Sequence, residues 1–545
     1  MSNTSFSAKE QKKRYELLNE RPAWIIFKTA MPLLFFSFMK VAFQFFDVLT
    51  ISKIDQNMVS TALFVSDIQS IFDCLFMAMA IGVGIRISQA FGAGDFDSIK
   101  RDLSTVFFAI IFISLFLVLI CIPFAKPILR FFAIPEEMLE IGSTYFSISI
   151  FSAIFAAVNV LYFASEKARG QTKVVSVCNI VQLITKLFFN FIIMYLINQN
   201  VLNKEHAVIL LPLSVCVSQF LIMLFAFRGL FSKDLPFRVS FSSASFDKEF
   251  LSSYFKLTLP VILIKTMTPL AKVICNSQYA VFGSIGLAAF SCCNKICSIA
   301  TTPLDALQDA ETAVIAANIG NRKYERVRKT IHDSLWLVCG ISIILFAVVF
   351  FVSETLISYF AGGNEELLKN IRILYSIEKL DFIFMALDCI FTAYLFATNK
   401  TKLKTVSSFL QRFVIRIPLL YFLINHFGFG IEAIALSILI SNIGATLFTI
   451  ISYLYISRTY ERKLKENEHA ETRLIDAVRA LGRLDAFDTD KGYSEGIKVP
   501  IDLIELMKET FAVNIKTDTL VNEYRYALVE ARIDELEKQE NSYTN

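Results

Sequence analysis

Two residues of the first long apolar stretch suggest chemistry inside a membrane. Asp47 is a carboxylate among apolar residues, and Pro32, fifteen positions earlier, removes a helical hydrogen bond and permits a bend. A membrane-embedded carboxylate is costly unless it is paired, hydrated or protonated, so it marks a functional site. Its proton affinity would follow the hydration of a cavity, as coupling to H⁺ requires. The alternative is a permanent ion pair between Asp47 and a lysine of a neighbouring helix.

A second group of charges lies inside later apolar stretches and could line a solute cavity. It comprises Lys265, Lys272, Asp381, Asp388, Arg412 and Arg416. The two lysines are seven residues apart and the two arginines four, so each pair shares one helix face, which we expect to point away from lipid. The cations favour an anionic or zwitterionic solute, whereas the two aspartates favour a cationic one.

Several other kinds of site are excluded by what the sequence lacks. There is no P-loop, and Gly82-Val-Gly84 has neither the third glycine nor the preceding strand of a dinucleotide site. The densest cysteines are Cys292, Cys293 and Cys297, and no His or further Cys near them completes a metal-ligand spacing, so we expect packing residues. We therefore predict that the chain is not an enzyme and has no metal site and no organic cofactor.

The elements that carry these residues are long apolar segments. The 545 residues have a mean hydropathy of +0.55, and only 19% are charged. A helix needs about 20 apolar residues to cross the hydrocarbon core, where its backbone groups must be paired within the helix. Twelve stretches qualify: 24–50, 60–86, 103–125, 141–164, 174–197, 207–227, 254–280, 286–316, 333–353, 371–397, 405–424 and 431–457. The sequence predicts an all-α polytopic membrane protein with twelve transmembrane helices.

Lysine and arginine are concentrated in alternate loops, and this sets the predicted orientation. They are numerous before the first apolar stretch and in every second loop after it, and sparse in the opposite loops. The positive-inside rule then places both termini in the cytoplasm. The predicted location of the protein is the cell membrane, that is, a plasma or inner membrane. The polar N-terminal segment is not a cleaved signal peptide, so the first apolar helix must serve as its own insertion signal. The net charge of +4 does not argue for a nucleic-acid partner.

The chain repeats itself at a spacing of 228 residues. Lys28-Thr-Ala-Met-Pro32 recurs as Lys256-Leu-Thr-Leu-Pro260, and the loop that begins at Gln89 recurs at Ala317. An even number of spans per half gives two pseudo-symmetric six-helix bundles of the same orientation, with the substrate cavity expected between them. The predicted parts are a cytoplasmic segment 1–23, an N-terminal lobe 24–228, a cytoplasmic linker 229–249, a C-terminal lobe 250–457 and a short helical cytoplasmic tail 458–545 of unreadable function.

These features together resemble the multidrug and toxic compound extrusion (MATE) family. The resemblance covers about residues 24–457 and rests on Pro32 with Asp47, on Gly82-Val-Gly84, and on the loop Gln89-Ala-Phe-Gly-Ala-Gly-Asp95. It implies two six-helix lobes around a central cavity. It also implies export of organic, often cationic, solutes against an inward flow of H⁺ or Na⁺.

The resemblance assigns roles to residues of the first and seventh helices. Asp47 matches the carboxylate that binds the coupling ion in the family, and bending at Pro32 is expected to accompany that binding. Pro260 is the echo of Pro32 and a second hinge candidate. The position that matches Asp47 in the second half is Cys275. Coupling is therefore expected to be asymmetric and to lie in the first half.

The fifth helix is expected to complete the coupling-ion site, with a departure from the family. Asn179 fits the family pattern there, and Asn190 lies where the family often has Asn or Asp. Lys186, one turn before Asn190, replaces a polar neutral residue. This lysine would either neutralise Asp47 permanently or act as its switchable partner, so H⁺ and Na⁺ both stay open.

Three hypotheses follow for the function. The leading one is a monomeric secondary active exporter of small organic solutes of the drug or toxin type, working by alternating access in the lipid bilayer in exchange for H⁺ or Na⁺. The second is a flippase of the same fold for an anionic or lipid-linked substrate, which a net positive cavity would support. The third is a membrane anchor that presents the tail, which predicts no charged cavity.

Overall fold

Long α-helices make up almost all of the chain that the computed structural model describes, namely residues 8–52, 56–131, 139–199, 204–232, 238–321 and 323–480. The side chains of 8–11, 41–64, 204–209 and 459–480 and of some isolated positions are outside this description. The helices are α1 (Ala8–Asn19), α2 (Pro22–Ser52), α3 (Gln56–Ala93), α4 (Phe96–Cys121), α5 (Ala125–Phe131), α6 (Leu139–Ala168), α7 (Thr172–Asn198), α8 (Lys204–Leu230), α9 (Lys248–Tyr279), α10 (Gly283–Gly320), α11 (Tyr324–Ala361), α12 (Glu365–Ala397), α13 (Thr401–Phe409), α14 (Ile417–Asn425) and α15 (Glu432–Ala480). Twelve helical segments in this part of the chain are long and apolar enough to cross a membrane. The predicted all-α fold with twelve spans is confirmed.

The eleventh span is not one regular α-helix. Between α13 and α14 the segment Leu410–Arg416 is a π-helix. Pro418 follows directly in the first turn of α14 and has no N–H to donate to the carbonyl of Val414. A π-helical segment absorbs such an interruption, and segments of this kind are frequent at functional sites. A proline within an apolar stretch is the sequence signal for this irregularity. The hydropathy pattern alone predicts one uninterrupted span.

Hydroxyl groups on α7 fasten this helix to α2 in the first half of the chain. Thr172 donates from Oγ1 to the carbonyl of Thr29 over 2.6 Å, and Ser176 donates from Oγ to the carbonyl of Pro32, also over 2.6 Å. Both bonds lie one helical turn apart, beside the proline at which α2 is expected to bend. They satisfy side-chain hydroxyls in a membrane helix pair, where an unpaired polar group is costly.

The second half repeats this fastening with the equivalent residues. Thr401 at the start of α13 donates to the carbonyl of Leu257 over 3.2 Å, and Thr405 donates to the carbonyl of Pro260 over 3.0 Å. Each acceptor in the second half lies 228 residues after the equivalent acceptor in the first half, and each donor lies 229 residues after the equivalent donor. The repeat that the sequence indicates is therefore also a repeat of tertiary hydrogen bonds.

The ends of α3 and α10 meet at the end of the bundle that the basic loops assign to the cytoplasm. A Cβ atom at Gly92 would overlap the carbonyl of Ala317, and a Cβ atom at Gly320 would overlap the carbonyl of Gln89. These four residues form two pairs at the 228-residue spacing, so the contact is reciprocal. Only glycine permits backbone to approach backbone this closely. The two halves of the repeat are thus closed against one another at this end.

Helix α1 crosses this contact and bonds to both partners. Arg14 donates from Nε and Nη2 to the carbonyl of Gly92, over 3.1 and 2.9 Å, and from Nη2 to Oδ1 of Asn321 over 3.4 Å. Lys323 donates to Oδ1 of Asn19 over 2.9 Å. Burial lowers the pKa of the Arg14 guanidinium. The segment before the first span is therefore an ordered helix that joins the ends of α3 and α10.

Glu16 is the buried acid of α1. Its carboxylate accepts hydrogen bonds from Lys28 over 3.1 Å and from Lys13 over 3.2 Å. Burial alone would raise the pKa of Glu16, but the two lysines outweigh it and the pKa lies below its ordinary value. The carboxylate is therefore ionised at neutral pH and ties α1 to the start of α2.

The described chain falls into two units, one ending at Tyr453 and the other beginning at Leu454. The described part of the second unit is the continuation of α15 to Ala480. The remainder of the predicted helical tail, up to residue 545, lies outside the described residues. The predicted lobe boundaries at 228 and 250 stay predictions.

Candidate functional site

A cavity of about 510 Å³ lies among the helices of the second half. Its described lining side chains come from α9, α10, α11, α12, the eleventh span and α15, between Ile264 and Thr446. The volume is that of a site for a drug-sized ligand. The sequence places the cavity between the halves, whereas every described lining residue belongs to the second one. All six predicted cavity residues line it: Lys265, Lys272, Asp381, Asp388, Arg412 and Arg416.

The π-helical segment supplies the two arginines of the cavity. Arg412 donates from Nη1 to Oε1 of Gln411 over 3.1 Å and to the carbonyl of Ser408 over 3.5 Å. Arg416 donates from Nε to Oγ of Ser441 over 2.9 Å and from Nη2 to Oδ1 of Asn442 over 2.8 Å. Within the described part of the chain, both guanidinium groups bond to neutral oxygens rather than to a carboxylate. They can therefore receive an anionic group of a solute, which a guanidinium binds with two parallel hydrogen bonds.

Asn442 on α15 connects Arg416 to the carboxylate of Asp381. The amide oxygen of Asn442 accepts from Arg416 and from Gln411, and its amide nitrogen donates to Oδ2 of Asp381. The second oxygen of Asp381 is buried without a hydrogen bond in the described structure. Asp381 is thus joined to the arginine through a neutral relay. Sequence reasoning did not single out Asn442, because a neutral amide in an apolar stretch carries no charge signal.

Asp388 is held by a lysine that lies close to the basic loop before α13. Lys404 donates to both carboxylate oxygens of Asp388, over 2.6 and 2.8 Å, and only 9% of its side chain is exposed. Thr449 donates to Oδ1 of Asp388 over 2.9 Å. Lys404 lies only four residues after the turn at Lys400, but α13 has already turned it into the cavity. Its role is therefore structural and electrostatic within the cavity.

The described lining carries more positive than negative side chains. The cations are Lys265, Lys272, Lys379, Lys404, Arg412 and Arg416, and the acids are Asp305, Glu378, Asp381 and Asp388. The formal excess is two positive charges. The Lys404–Asp388 ion pair contains one cation and one acid, so it does not change this excess.

Aromatic rings form the apolar part of the wall. Tyr279 and Phe290 meet edge to face with their ring centroids 4.6 Å apart, and Phe346 stacks near Phe382. All four line the cavity. The site can thus bind a solute with an aromatic or apolar body as well as a charged group.

The predicted coupling-ion residues lie in the first half, and the structure describes three of the four. Asn179, Lys186 and Asn190 follow one another at spacings of seven and four on α7, so they share a face of a helix that packs against α2. Asn190 is buried and its Oδ1 accepts from Oγ of Ser214 over 3.1 Å. Asp47 is within α2, but its side chain lies outside the described residues. A coupling site formed by the four residues therefore stays a prediction.

The two hinge candidates lie inside long helices, Pro32 in α2 and Pro260 in α9. The carbonyl oxygen of each accepts the hydroxyl bond from α7 or α13 described above. Both prolines thus stand at points where a second helix holds the backbone. Movement at either proline stays a prediction.

A family model described as MatE matches residues 32–192 and 260–422. The two matches start at Pro32 and Pro260, which the 228-residue repeat pairs, and together they cover more than half of the chain. The chain belongs to the MatE family. The resemblance to multidrug and toxic compound extrusion proteins is confirmed, and this MatE protein is a multi-pass membrane transporter rather than an enzyme.

Similar proteins of known name or structure cover most of this MatE chain. The multidrug export protein MepA of Staphylococcus aureus is 22% identical over 434 residues, which are 79% of this chain and 93% of that protein. A crystal structure of MATE in complex with MaL6 has a TM-score of 0.75 at 15% identity, covering 83% of this chain and 99% of the other. A MOP superfamily transporter from Pyrococcus furiosus, described by the reverse polarity of its binding pocket, has a TM-score of 0.74 at 15% identity and covers 82% and 98%. The two structures share the fold.

Proposed function

We propose that the protein is a secondary active exporter of small organic solutes, of the multidrug type, that works by alternating access. Membership of the MatE family, the closed contact at the Gly92 and Gly320 end, and the cavity among the helices of the second half support this proposal. MepA, which is similar along most of its length, is named a multidrug export protein. The protein acts as a monomer in the cell membrane, with both termini in the cytoplasm.

The preferred solute carries a negative charge beside an aromatic or apolar body. The observation that carries this proposal is that Arg412 and Arg416 face the cavity with only neutral hydrogen-bond partners among the described residues. The formal excess of two positive charges acts in the same direction. Zwitterionic solutes fit as well, because Asp381 lies on the same wall. This polarity departs from the cationic solutes that the family resemblance implies.

Export is driven by H⁺ or Na⁺ that enters through a site at Asp47. A membrane-embedded carboxylate at fifteen residues from a helix-one proline supports this assignment, together with Lys186 and Asn190 on the neighbouring α7. Binding of the ion shifts the balance between the cavity states by its different affinity for the two.

The test is transport by the purified full-length chain in proteoliposomes with imposed H⁺ or Na⁺ gradients. An anionic and a cationic fluorescent dye of similar size serve as solutes. We expect export of the anionic dye to fall at least about tenfold in Arg412→Gln and Arg416→Gln, because each loses one charge-assisted pair worth about 1.5–3 kcal/mol. Arg372→Gln is the matched control, since Arg372 pairs with Glu354 on the surface away from the cavity.

Asp47→Asn tests the coupling separately. The variant should bind the dye but no longer concentrate it when a gradient is imposed. Gradient-driven transport by Asp47→Asn at the unaltered rate would contradict the coupling site, and preference for the cationic dye by the unaltered protein would contradict the solute charge.

A flippase for a lipid-linked anionic substrate is the second candidate. The same two arginines favour it, because a guanidinium also binds pyrophosphate with paired hydrogen bonds. The Pyrococcus furiosus transporter is likewise described by a reversed pocket polarity that suggests a different function for it. Translocation of a fluorescent lipid pyrophosphate in the same proteoliposomes, with no transport of the soluble dyes, would select this candidate.

A further inference from the structure

Two cysteines and a glutamate converge on one wall of the cavity. Cys293 and Cys297 lie one turn apart on α10, and Glu378 faces them from α12. The two sulfur atoms and a carboxylate oxygen all lie within 4.8 Å of one another. Cys293 donates its thiol hydrogen to Oε2 of Glu378 over 3.4 Å. The sequence does not reveal this group, because Glu378 comes from a different helix than the two cysteines.

The group is buried but open to the cavity on one side. Cys293 has no exposed surface and Glu378 only 7%, while Cys297 and Glu378 both line the cavity. The other carboxylate oxygen of Glu378, Oε1, is buried with no hydrogen-bond partner in the described structure. A carboxylate oxygen in such a place is costly without a cation or a donor. Arg416 lines the same cavity, but it hydrogen bonds to Ser441 and Asn442.

The donor set specifies the class of cation. Two thiolates and one carboxylate are a three-ligand set for a borderline or soft divalent ion, with a fourth position left for water or a solute. Hard cations such as Na⁺ and Mg²⁺ prefer oxygen ligands. A tetrahedral ion with bonds of about 2.0–2.3 Å needs ligand atoms roughly 3.5 Å apart, so side-chain shifts of about 1 Å or less complete the site.

We propose that Cys293, Cys297 and Glu378 bind a thiophilic divalent cation of the Zn²⁺ and Cd²⁺ class at the cavity wall. The ion enters through the cavity, and two thiol protons leave to water as the two metal–sulfur bonds form. Its affinity therefore falls as the pH falls. The fourth coordination position faces the cavity, where it can hold a donor atom of a bound solute. This site does not depend on which solute the protein exports.

The test is Cd²⁺ binding to the purified, reduced full-length chain in lipid nanodiscs, followed by the ultraviolet charge-transfer absorption of cadmium–thiolate bonds. Zn²⁺ should compete for the site, whereas excess Na⁺ and Mg²⁺ should not. Cys293→Ser, Cys297→Ser and Glu378→Gln should each weaken Cd²⁺ binding by more than about 100-fold, since loss of a ligand exceeds loss of an outer-shell partner. Cys292→Ser is the matched control, because Cys292 is adjacent but outside the group, and it should bind as the unaltered chain does.

A measurement without substitution covers the case of a variant that does not fold. Cd²⁺ should protect Cys297 from a small alkylating reagent that enters the cavity, with the modified residues identified by mass spectrometry, and should leave the alkylation of Cys292 unchanged. Equal alkylation of Cys297 with and without saturating Cd²⁺ would overturn the site. Retained affinity in folded Glu378→Gln would overturn the three-ligand site, and equal loss in Cys292→Ser would show unspecific binding to thiols.

Discussion

The fifth and eleventh spans occupy equivalent places in the two halves but differ in shape and charge. In the first half α7 is a regular helix from Thr172 to Asn198, and in the second half the equivalent span contains the π-helix Leu410–Arg416. Near its start, each span has two hydroxyl groups that donate hydrogen bonds to the proline-containing first helix of its half, which is α2 or α9. At the spacing of 229 residues, the cavity arginines correspond to leucines of α7. The two halves therefore share the hydrogen bonds that position this span, but the cavity arginines are found in the second half alone.

A second difference between the halves is a hydrogen-bonded pair of side chains that joins the fourth and sixth spans of each half. In the first half Asn159 donates to the side-chain oxygen of Gln219 over 2.7 Å. In the second half Asp388, 229 residues after Asn159, accepts a hydrogen bond over 2.9 Å from Thr449, 230 residues after Gln219, and Lys404 is an additional partner. A neutral bond in one half is thus an ion-paired site in the other. The two halves therefore share helix contacts, whereas the ion pair at this place belongs to the second half.

The strongest test of the shared scaffold is the glycine contact. Gly92→Ala and Gly320→Ala should each destabilise the protein by about 3 kcal/mol or more, because the new methyl group meets backbone that cannot rotate away. Both should also open the contact between the two halves at the predicted cytoplasmic end. Thermal unfolding in detergent and labelling of a cysteine introduced there measure the two effects. Gly340→Ala is the control, since nothing lies within 4 Å of a Cβ atom at Gly340. A large effect at only one of the two contact glycines would break the equivalence.

The next test separates the charged half from the neutral half. Lys404→Met should lower the free energy of unfolding by about 2 kcal/mol, because it leaves Asp388 without its cation beside a cavity that only partly hydrates it. Asn159→Leu removes two neutral hydrogen bonds to Gln219 but should cost only about 1 kcal/mol, because apolar burial of the leucine offsets part of the loss. The double variant Lys404→Met with Asp388→Asn should recover part of the loss in a thermal unfolding assay. If Asn159→Leu cost as much as Lys404→Met, the distinction between the halves would be wrong.

The helices and the cavity faces followed from the sequence, because both depend on local periodicity. Long apolar stretches specify spans, and the spacings of Lys265 with Lys272 and of Arg412 with Arg416 place each pair on one face. The partners across helices did not follow. Asn442 and Thr449 are neutral, Lys404 stands next to loop cations, and Glu378 joins Cys293 only through tertiary packing. Such contacts depend on the rotation and depth of two helices, which a single sequence without a packing partner does not specify.

The hydroxyl bonds beside the two prolines allow a finer test of equivalence. Ser176→Ala and Thr405→Val should each destabilise the protein by about 1 kcal/mol, the net value of one hydrogen bond. If Pro32 is the hinge of coupling, Ser176→Ala should also alter the response of transport to the ion gradient, whereas Thr405→Val should not. Equal effects of both variants on gradient-driven transport would show that the hinge function is shared by the halves.

The smallest expected effect concerns α1, which differs from the segment before α9. That segment is fastened to α4 by Ser240, whose backbone N–H donates to Oγ of Ser104, whereas α1 is fastened by the carboxylate of Glu16. The pKa of Glu16 is lowered by its lysine partners, so its contribution to docking is present above the unfolded pKa and is lost as the pH falls through the folded one. The protection factors of the α1 amides, which are corrected for the intrinsic pH dependence of hydrogen exchange, should therefore fall below about pH 4.5. Glu16→Gln should remove this pH dependence and leave the exchange of residues 238–247 unchanged. Identical pH profiles for both proteins would assign the docking of α1 to Arg14 and Lys323 alone.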